Sequence, residues 1–319
     1  MQDAHAAAKP APRRNVIVFA LGILCYWAAM YVYVPTFSVY AESLGARLSV
    51  VGLAVGAYGL TQMLTRVPIG IWSDAMGKRR GIVVVGMLTC AVGAAGLALS
   101  PSPAWLVVFR GVMGLAAATW VCSTVLFTSY FPGSHPSVPL SIMSLVSALG
   151  QVVGTSSGGL LAETYGWTMP FWASMALSVV AAGVLCIPSD DTSAKPVSVS
   201  RQSILRIASA PLLLLACGVG IIVYFATFST VYGFTTVFAE RLGATRADLG
   251  YLTTVALLAY SVLTILTPRL IRHLGERRTL LLGLLVTTAA ILPTPLVGTL
   301  AGLFVLQTLS GVGRGMLYP

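Results

Sequence analysis

The sequence predicts an all-α, polytopic membrane protein, and three observations carry that prediction. Of its 319 residues, 57% are hydrophobic and only 9% are charged, against the roughly 25% charged residues of an ordinary soluble domain. Ten apolar runs approach or exceed the roughly 20 residues that an α-helix needs to cross a bilayer. The basic residues gather in alternate connections between those runs. A chain of this composition cannot build a water-facing surface, so lipid is its main solvent.

The runs fall at 15–41, 49–72, 81–99, 103–131, 138–162, 167–188, 210–238, 247–268, 279–297 and 300–319. Before the first lies an Ala- and Pro-rich tail ending in Arg13 and Arg14. The following run is too long for the apolar region of a signal peptide, so it counts as the first span. Lys9, Arg13, Arg14, Lys78, Arg79, Arg80, Lys195, Arg201, Arg206, Arg269, Arg272, Arg277 and Arg278 all fall on one side of the resulting topology. Arg47, Arg241 and Arg246 fall on the other, and Arg66, Arg110 and Arg314 lie within spans. Positive loops stay in the cytoplasm, so the N-terminus and the even-numbered connections are expected there, with the chain in a bacterial inner membrane. This placement also explains the net charge of +10 without nucleic acid as a partner.

Residues 189–209 are polar and Ser-rich, which predicts a cytoplasmic linker. The chain repeats itself across it. Ala41-Glu42-Ser43-Leu44-Gly45-Ala46 is echoed by Ala239-Glu240-Arg241-Leu242-Gly243-Ala244, and Gly52, Gly77, Arg79 and Arg80 match Gly250, Gly275, Arg277 and Arg278, all at 250 − 52 = 198. Leu106–Arg110 aligns with Leu303–Gln307 at 307 − 110 = 197. Six spans separate the copies, so both point the same way. The expected organisation is a six-helix bundle at 1–188, the linker, and a second bundle at 210–319 holding four of six helices. Counterparts of spans five and six would lie beyond Pro319, so the second half is expected to be incomplete.

Cys25, Cys90, Cys122, Cys186 and Cys217 lie in apolar runs without close pairs, so they read as small packing residues rather than as metal ligands or disulfides. His5, His135 and His273 lie in the tail or in loops. Phosphate-binding, dinucleotide-binding, nucleophile-elbow and zinc-helix motifs are absent. No metal site, no cofactor and no enzymatic activity are expected.

Several motifs remain. After span two comes Gly70-Ile-Trp-Ser-Asp74-Ala-Met-Gly77-Lys78-Arg79-Arg80. Its glycines permit a tight turn, Asp74 at a helix end can accept hydrogen bonds, and the basic triplet suits an anionic leaflet. Span four opens with Phe109-Arg110-Gly111-Val-Met-Gly114, and span five holds Gly150-Gln-Val-Val-Gly154-Thr155-Ser-Ser-Gly158-Gly159. A charge at membrane depth is costly and usually faces protein or a water-filled cavity. Arg110 therefore reads as a contact for an anionic substrate or part of a coupling network, with snorkelling to the surface as the alternative. Arg314 in span ten has the same two readings, and Arg66 near Pro68 favours snorkelling. Glycines at i, i+4 and i+8 predict a close helix contact.

Together these features resemble the major facilitator superfamily. The Gly70–Arg80 stretch is similar to its signature loop, Arg110 to its helix-four arginine, and Gly150–Gly159 to its helix-five motif, with Thr155 where that motif has proline. The echo at Gly275–Arg278 departs from the loop pattern, since Arg272 stands at the aspartate position. The resemblance implies two parallel six-helix pseudo-repeats around a central cavity, lined mainly by helices one, four, seven and ten. It implies secondary transport of a small solute by alternating access, ion- or proton-coupled, with a membrane sensor or scaffold as the alternative. It also implies gating by Gly70, Asp74, Gly77, Lys78, Arg79 and Arg80. Arg110, Arg314, Tyr31 and Tyr224 are the candidates for substrate or coupling contacts, with Tyr26, Tyr33 and Tyr232 also on helices one and seven. All nine acidic residues lie in the tail, loops or helix ends, which favours an anionic solute over a cation. A lipid-embedded monomer is expected.

Overall fold

The computed structural model describes residues 12–135, 137–188 and 209–317, and every regular element among them is helical. The linker expected at 189–209 therefore lies, apart from Ser209, outside the described residues. We number the spans α1 (Arg13–Ser43), α2 (Leu48–Met76), α3 (Arg79–Ala98), α4 (Pro103–Ser129), α5 (Ser137–Tyr165) and α6 (Met169–Leu185). After the linker come α7 (211–241), α8 (Arg246–Leu274), α9 (Glu276–Ile291) and α10 (Leu300–Leu317). Among the described residues, nine helices are long and apolar enough to cross a membrane, and α6 is a shorter apolar helix. Each expected run corresponds to one of these helices. We call the side carrying the start of α1 and the α2–α3 and α8–α9 connections the basic face.

Helix ends follow from local chemistry. Gly77 ends α2 with φ +63°, a left-handed conformation that glycine adopts without a Cβ penalty. Thr245 starts α8 through a capping box with Asp248. The hairpin turns between the first two helices of each half have matching geometry. Gly45 has φ +84° and Gly243 φ +86°. Ala46 N–H donates to Ala41 O at 3.0 Å, and Ala244 N–H donates to Ala239 O at 3.0 Å.

Packing repeats as well. A Cβ on Gly114 of α4 would strike the Tyr58 carbonyl and Thr61 of α2, and one on Gly311 of α10 would strike the Ala256 carbonyl and Ala259 of α8. Gly86 of α3 packs tightly on Thr119 of α4, and Gly283 of α9 on Met316 of α10. These pairs are separated by the register of the sequence repeat, since 283 − 86 = 197 and 316 − 119 = 197. The two halves are thus parallel copies in their contacts as well as in their spelling. Small residues at the crossings let backbones approach where no hydrophobic effect drives helices together.

The glycines of α5 form another such crossing. Cβ atoms on Gly150, Gly154 and Gly158 would meet the carbonyls of Leu24, Ala28 and Val32 on α1, so two stripes of spacing four interlock. Around them the first half buries Phe19, Ile23, Tyr33, Phe37, Met87, Phe127 and Phe171. Leu60, Leu64, Val67 and Ile71 of α2 are among many large apolar side chains left exposed, as lipid-facing surfaces require.

Candidate functional site

The first helix of each half is irregular at the same place. In α1 the helix breaks at Val32–Tyr33, before Pro35, whose ring removes one backbone donor and crowds the preceding turn. In α7 a π turn spans Thr230–Phe234, and 230 − 32 = 198 places it in repeat register. Wide turns of this kind recur at functional sites. Here the two irregularities face each other across the seam between the halves, with Tyr31 and Tyr232 in edge contact at a centroid distance of 5.7 Å and 84°.

A cavity lies at this point. Met30, Tyr31, Tyr33 and Val34 of α1, Tyr58 of α2, Arg110 of α4, and Phe228 and Tyr232 of α7 line it. Its volume is about 10 Å³, room for at most one water.

Arg110 carries the charge of this cavity. It is 5% exposed. Its Nη1 donates to the Tyr33 hydroxyl at 2.7 Å. Its guanidinium lies 4.7 Å from the ring centre of Tyr58, 4.9 Å from that of Phe37 and 5.6 Å from that of Tyr33. Among the described residues its Nε has no hydrogen-bond partner, and it forms no ion pair with a carboxylate. Burying a charge costs several kcal/mol, and each ring face returns roughly 0.5–2 kcal/mol. The cage thus tolerates the cation and leaves it electrostatically unsatisfied. Snorkelling does not describe this residue, because its head group is buried among the rings of Tyr33, Phe37 and Tyr58 at the cavity instead of reaching a surface.

Arg314 is also buried, at 4% exposure. Its Nε donates to Ser310 O at 3.4 Å, its guanidinium lies 5.8 Å from the Tyr260 ring, and its Nη2 is unpartnered. Tyr232, which lines the cavity, lies within electrostatic reach of Arg314, so this second arginine stands near the cavity without lining it. The register equivalent of Arg110 is Gln307, which is buried with an unpartnered Oε1. Arg314 lies seven residues further along α10, about 10 Å at 1.5 Å per residue, so the two charges are staggered in depth.

Of the residues singled out in the sequence, the structure thus brings Arg110 and Tyr31 to one cavity and Arg314 to its edge. Tyr224 is different: it is 57% exposed and stacks on Phe228 from outside the cavity. Tyr58, Phe37 and Phe228 belong to the site and carry no motif that marks them. The glycines of α5 stand one helix away, and Gly159 leaves their stripe to meet Gly250 of α8.

The seam is fastened on the side opposite the basic face. Thr155 and Thr254 share a hydrogen bond of 2.8 Å. Arg246 of α8 donates from its backbone to Glu163 Oε2 at 2.9 Å and from Nη1 to Ala162 O at 2.9 Å. Arg241 pairs with Glu42 at 3.3 Å. An open cleft of about 290 Å³ runs beside these contacts, lined in part by Glu163, Trp167, Glu240 and Arg246.

On the basic face, Asp74 pairs with Arg79 at 2.8 Å around the Gly77 turn. Arg80 donates from Nη1 to Cys186 O at 3.1 Å and Pro188 O at 2.8 Å. It thereby satisfies carbonyls at the end of α6, where helices leave acceptors unpaired. A Cβ on Gly70 would meet Val121 only at ordinary contact distance, and Lys78 precedes α3. The loop thus ties three helices of the first half together.

The family model described as Major Facilitator Superfamily matches residues 19–238 and 216–319. A multi-drug resistance efflux pump PmrA homolog of Lactococcus lactis subsp. lactis (strain IL1403) is 24% identical over 96% of this chain and 78% of its own length. The quinolone resistance protein NorA of Staphylococcus aureus (strain Mu50) is 26% identical over 53% of this chain, a stretch covering 43% of that relative. In structure, the chain resembles a bacterial homolog of the human lysosomal transporter Spinster, solved in an inward-facing and unoccupied conformation. That match has a TM-score of 0.75 at 17% identity over 96% of this chain and 74% of the other.

Proposed function

The chain belongs to the Major Facilitator Superfamily, and from that premise we propose that it is a secondary transporter moving a small anionic solute by alternating access. The observation that carries this reading is Arg110, a buried guanidinium without a carboxylate, set at the cavity where the two halves meet. A solute bound there touches both halves, so its binding energy can differ between conformers and shift their populations. The seam is fastened opposite the basic face, and rocking the halves about the cavity would open that side in turn. In this reading residues 1–188 and 210–319 are the moving halves, 189–209 is a cytoplasmic linker, and the N-terminus is cytoplasmic. Gly70–Arg80 is the hinge loop, the transporter works as a monomer, and movement is coupled to a proton or ion gradient. The relatives named for multi-drug efflux and quinolone resistance support a small organic molecule as the solute.

Reconstitution into proteoliposomes tests the reading. Uptake of radiolabelled organic anions is expected to exceed that of empty liposomes and to accelerate under an imposed pH gradient. Cation uptake with no anion uptake would overturn the anionic assignment, and uptake of neither class would overturn transport.

A further inference from the structure

The chemistry of the cavity goes beyond a preference for negative charge. We propose that the solute is an anion carried on a flat aromatic ring, an aromatic carboxylate or sulfonate, held by Arg110 and by the ring faces of Tyr31, Tyr58, Phe228 and Tyr232. The proposal rests on the transporter reading and narrows it.

Five of the eight cavity residues are aromatic, and Arg110 is the single charged one. Aromatic cages often suit cations, but this cage already surrounds one. The guanidinium occupies faces of Tyr33, Phe37 and Tyr58, so a second cation would meet like charge in a dry site. An anion meets the opposite situation. Arg110 Nε is buried without an acceptor, and a carboxylate or sulfonate supplies acceptors of the right charge. Arg314, with its own unpartnered Nη2, adds positive potential behind Tyr232.

The rings supply the second half of the argument. Among the described residues, two aromatic pairs cross the seam: Tyr31 with Tyr232 at 5.7 Å, and Tyr58 with Phe228 at 6.1 Å. Phe228 and Tyr232 contact each other at 5.4 Å. When the halves part to admit a solute, these cross-seam contacts break. A flat ring entering between them replaces ring–ring contacts with ring–ring contacts of the same kind. An aliphatic body of equal size regains the apolar burial but not the ring geometry. A neutral aromatic regains the geometry but leaves Arg110 without an acceptor. The two requirements together select an aromatic anion. With a cavity of about 10 Å³, the present conformation holds the rings in contact, so binding and parting of the seam are one event.

The full chain, purified in detergent, is titrated with naphthoate, its size-matched saturated counterpart decahydronaphthoate, and naphthylmethylamine, with binding read by equilibrium dialysis. Naphthoate is expected to bind at least tenfold more tightly than decahydronaphthoate, a difference of about 1.4 kcal/mol, and naphthylmethylamine is not expected to bind. Phe228→Leu and Tyr31→Leu each bring naphthoate toward the affinity of the aliphatic acid. Equal affinity for the two acids, or no naphthoate binding at millimolar concentration, overturns the aromatic assignment and leaves anion transport standing. Preferential binding of the amine overturns the anionic reading itself.

Discussion

The guanidinium of Arg246 lies 4.1 Å above the ring centre of Trp167, joining α8 of the second half to the α5–α6 corner of the first. The same side chain donates to Ala162 O, and its backbone donates to Glu163. Directly beneath, Gly159 and Gly250 bring the two helix backbones into contact. Arg246→Ala removes the stacked cation and one hydrogen bond, together about 1–3 kcal/mol. A loss of 1.4 kcal/mol changes a conformer ratio about tenfold. We expect a cysteine at Ala244 to react several-fold faster with an impermeant maleimide in Arg246→Ala than in the parent. Arg246→Lys should fall between the two, because lysine keeps the charge but loses the planar stack. Unchanged labelling in Arg246→Ala would remove the residue from seam closure.

Arg110 and Tyr33 form the other critical pair. Arg110→Lys keeps a positive charge but cannot fill a slot between three rings while donating to the Tyr33 hydroxyl. Uptake is expected to fall more than tenfold, with the detergent-solubilised protein remaining monodisperse. Tyr33→Phe removes one charge-assisted hydrogen bond and should have a smaller effect of several-fold. Full uptake by Arg110→Lys would show that charge alone suffices and that the aromatic cage is incidental.

The glycine stripe of α5 makes a paired prediction. Gly158→Ala places a methyl group against the Val32 carbonyl and forces α1 and α5 apart, an overpacking cost of about 1–3 kcal/mol. Its thermal midpoint in detergent should drop by several degrees. Gly183→Ala in α6 meets nothing within 4 Å, and alanine is the better helix former by about 1 kcal/mol, so its midpoint should hold or rise. The reverse order would exclude the α1–α5 contact as the reason for the motif.

Asp74 pairs with Arg79 while remaining 55% exposed. Exposed pairs contribute roughly 0–1 kcal/mol, so Asp74→Asn should express and fold like the parent. Its proposed role lies at a moving hinge, and the initial uptake rate should fall at equal expression. An unchanged rate would leave Asp74 without a part in the transport cycle.

Orientation is tested with cysteines in a background without other reactive thiols. Arg47→Cys is expected to react with an impermeant reagent on intact cells, and Ser193→Cys is expected to be protected. The opposite pattern would invert the topology.

The run of apolar helices, the parallel repeat, the Gly77 turn and the cost of placing Arg110 within a span were legible in the sequence because each rests on a local requirement, whereas the choice between burial and snorkelling for Arg110 was not. A bilayer demands a continuous apolar run, a left-handed turn favours glycine, and a charge in lipid is costly wherever its helix packs. The close contact expected of Gly150, Gly154 and Gly158 was likewise implied by spacing alone, although its partner on α1 was not. What the tertiary structure decided is which faces meet. Tyr224 and Tyr232 sit about two turns apart on α7, yet one is exposed and the other completes the cavity. Tyr58, Phe37 and Phe228 join Arg110 from three positions distant in sequence, and Arg246, a single loop arginine by sequence, closes the seam against Trp167. Helix rotation and crossing are set by side-chain packing between segments, which no pattern within one segment encodes.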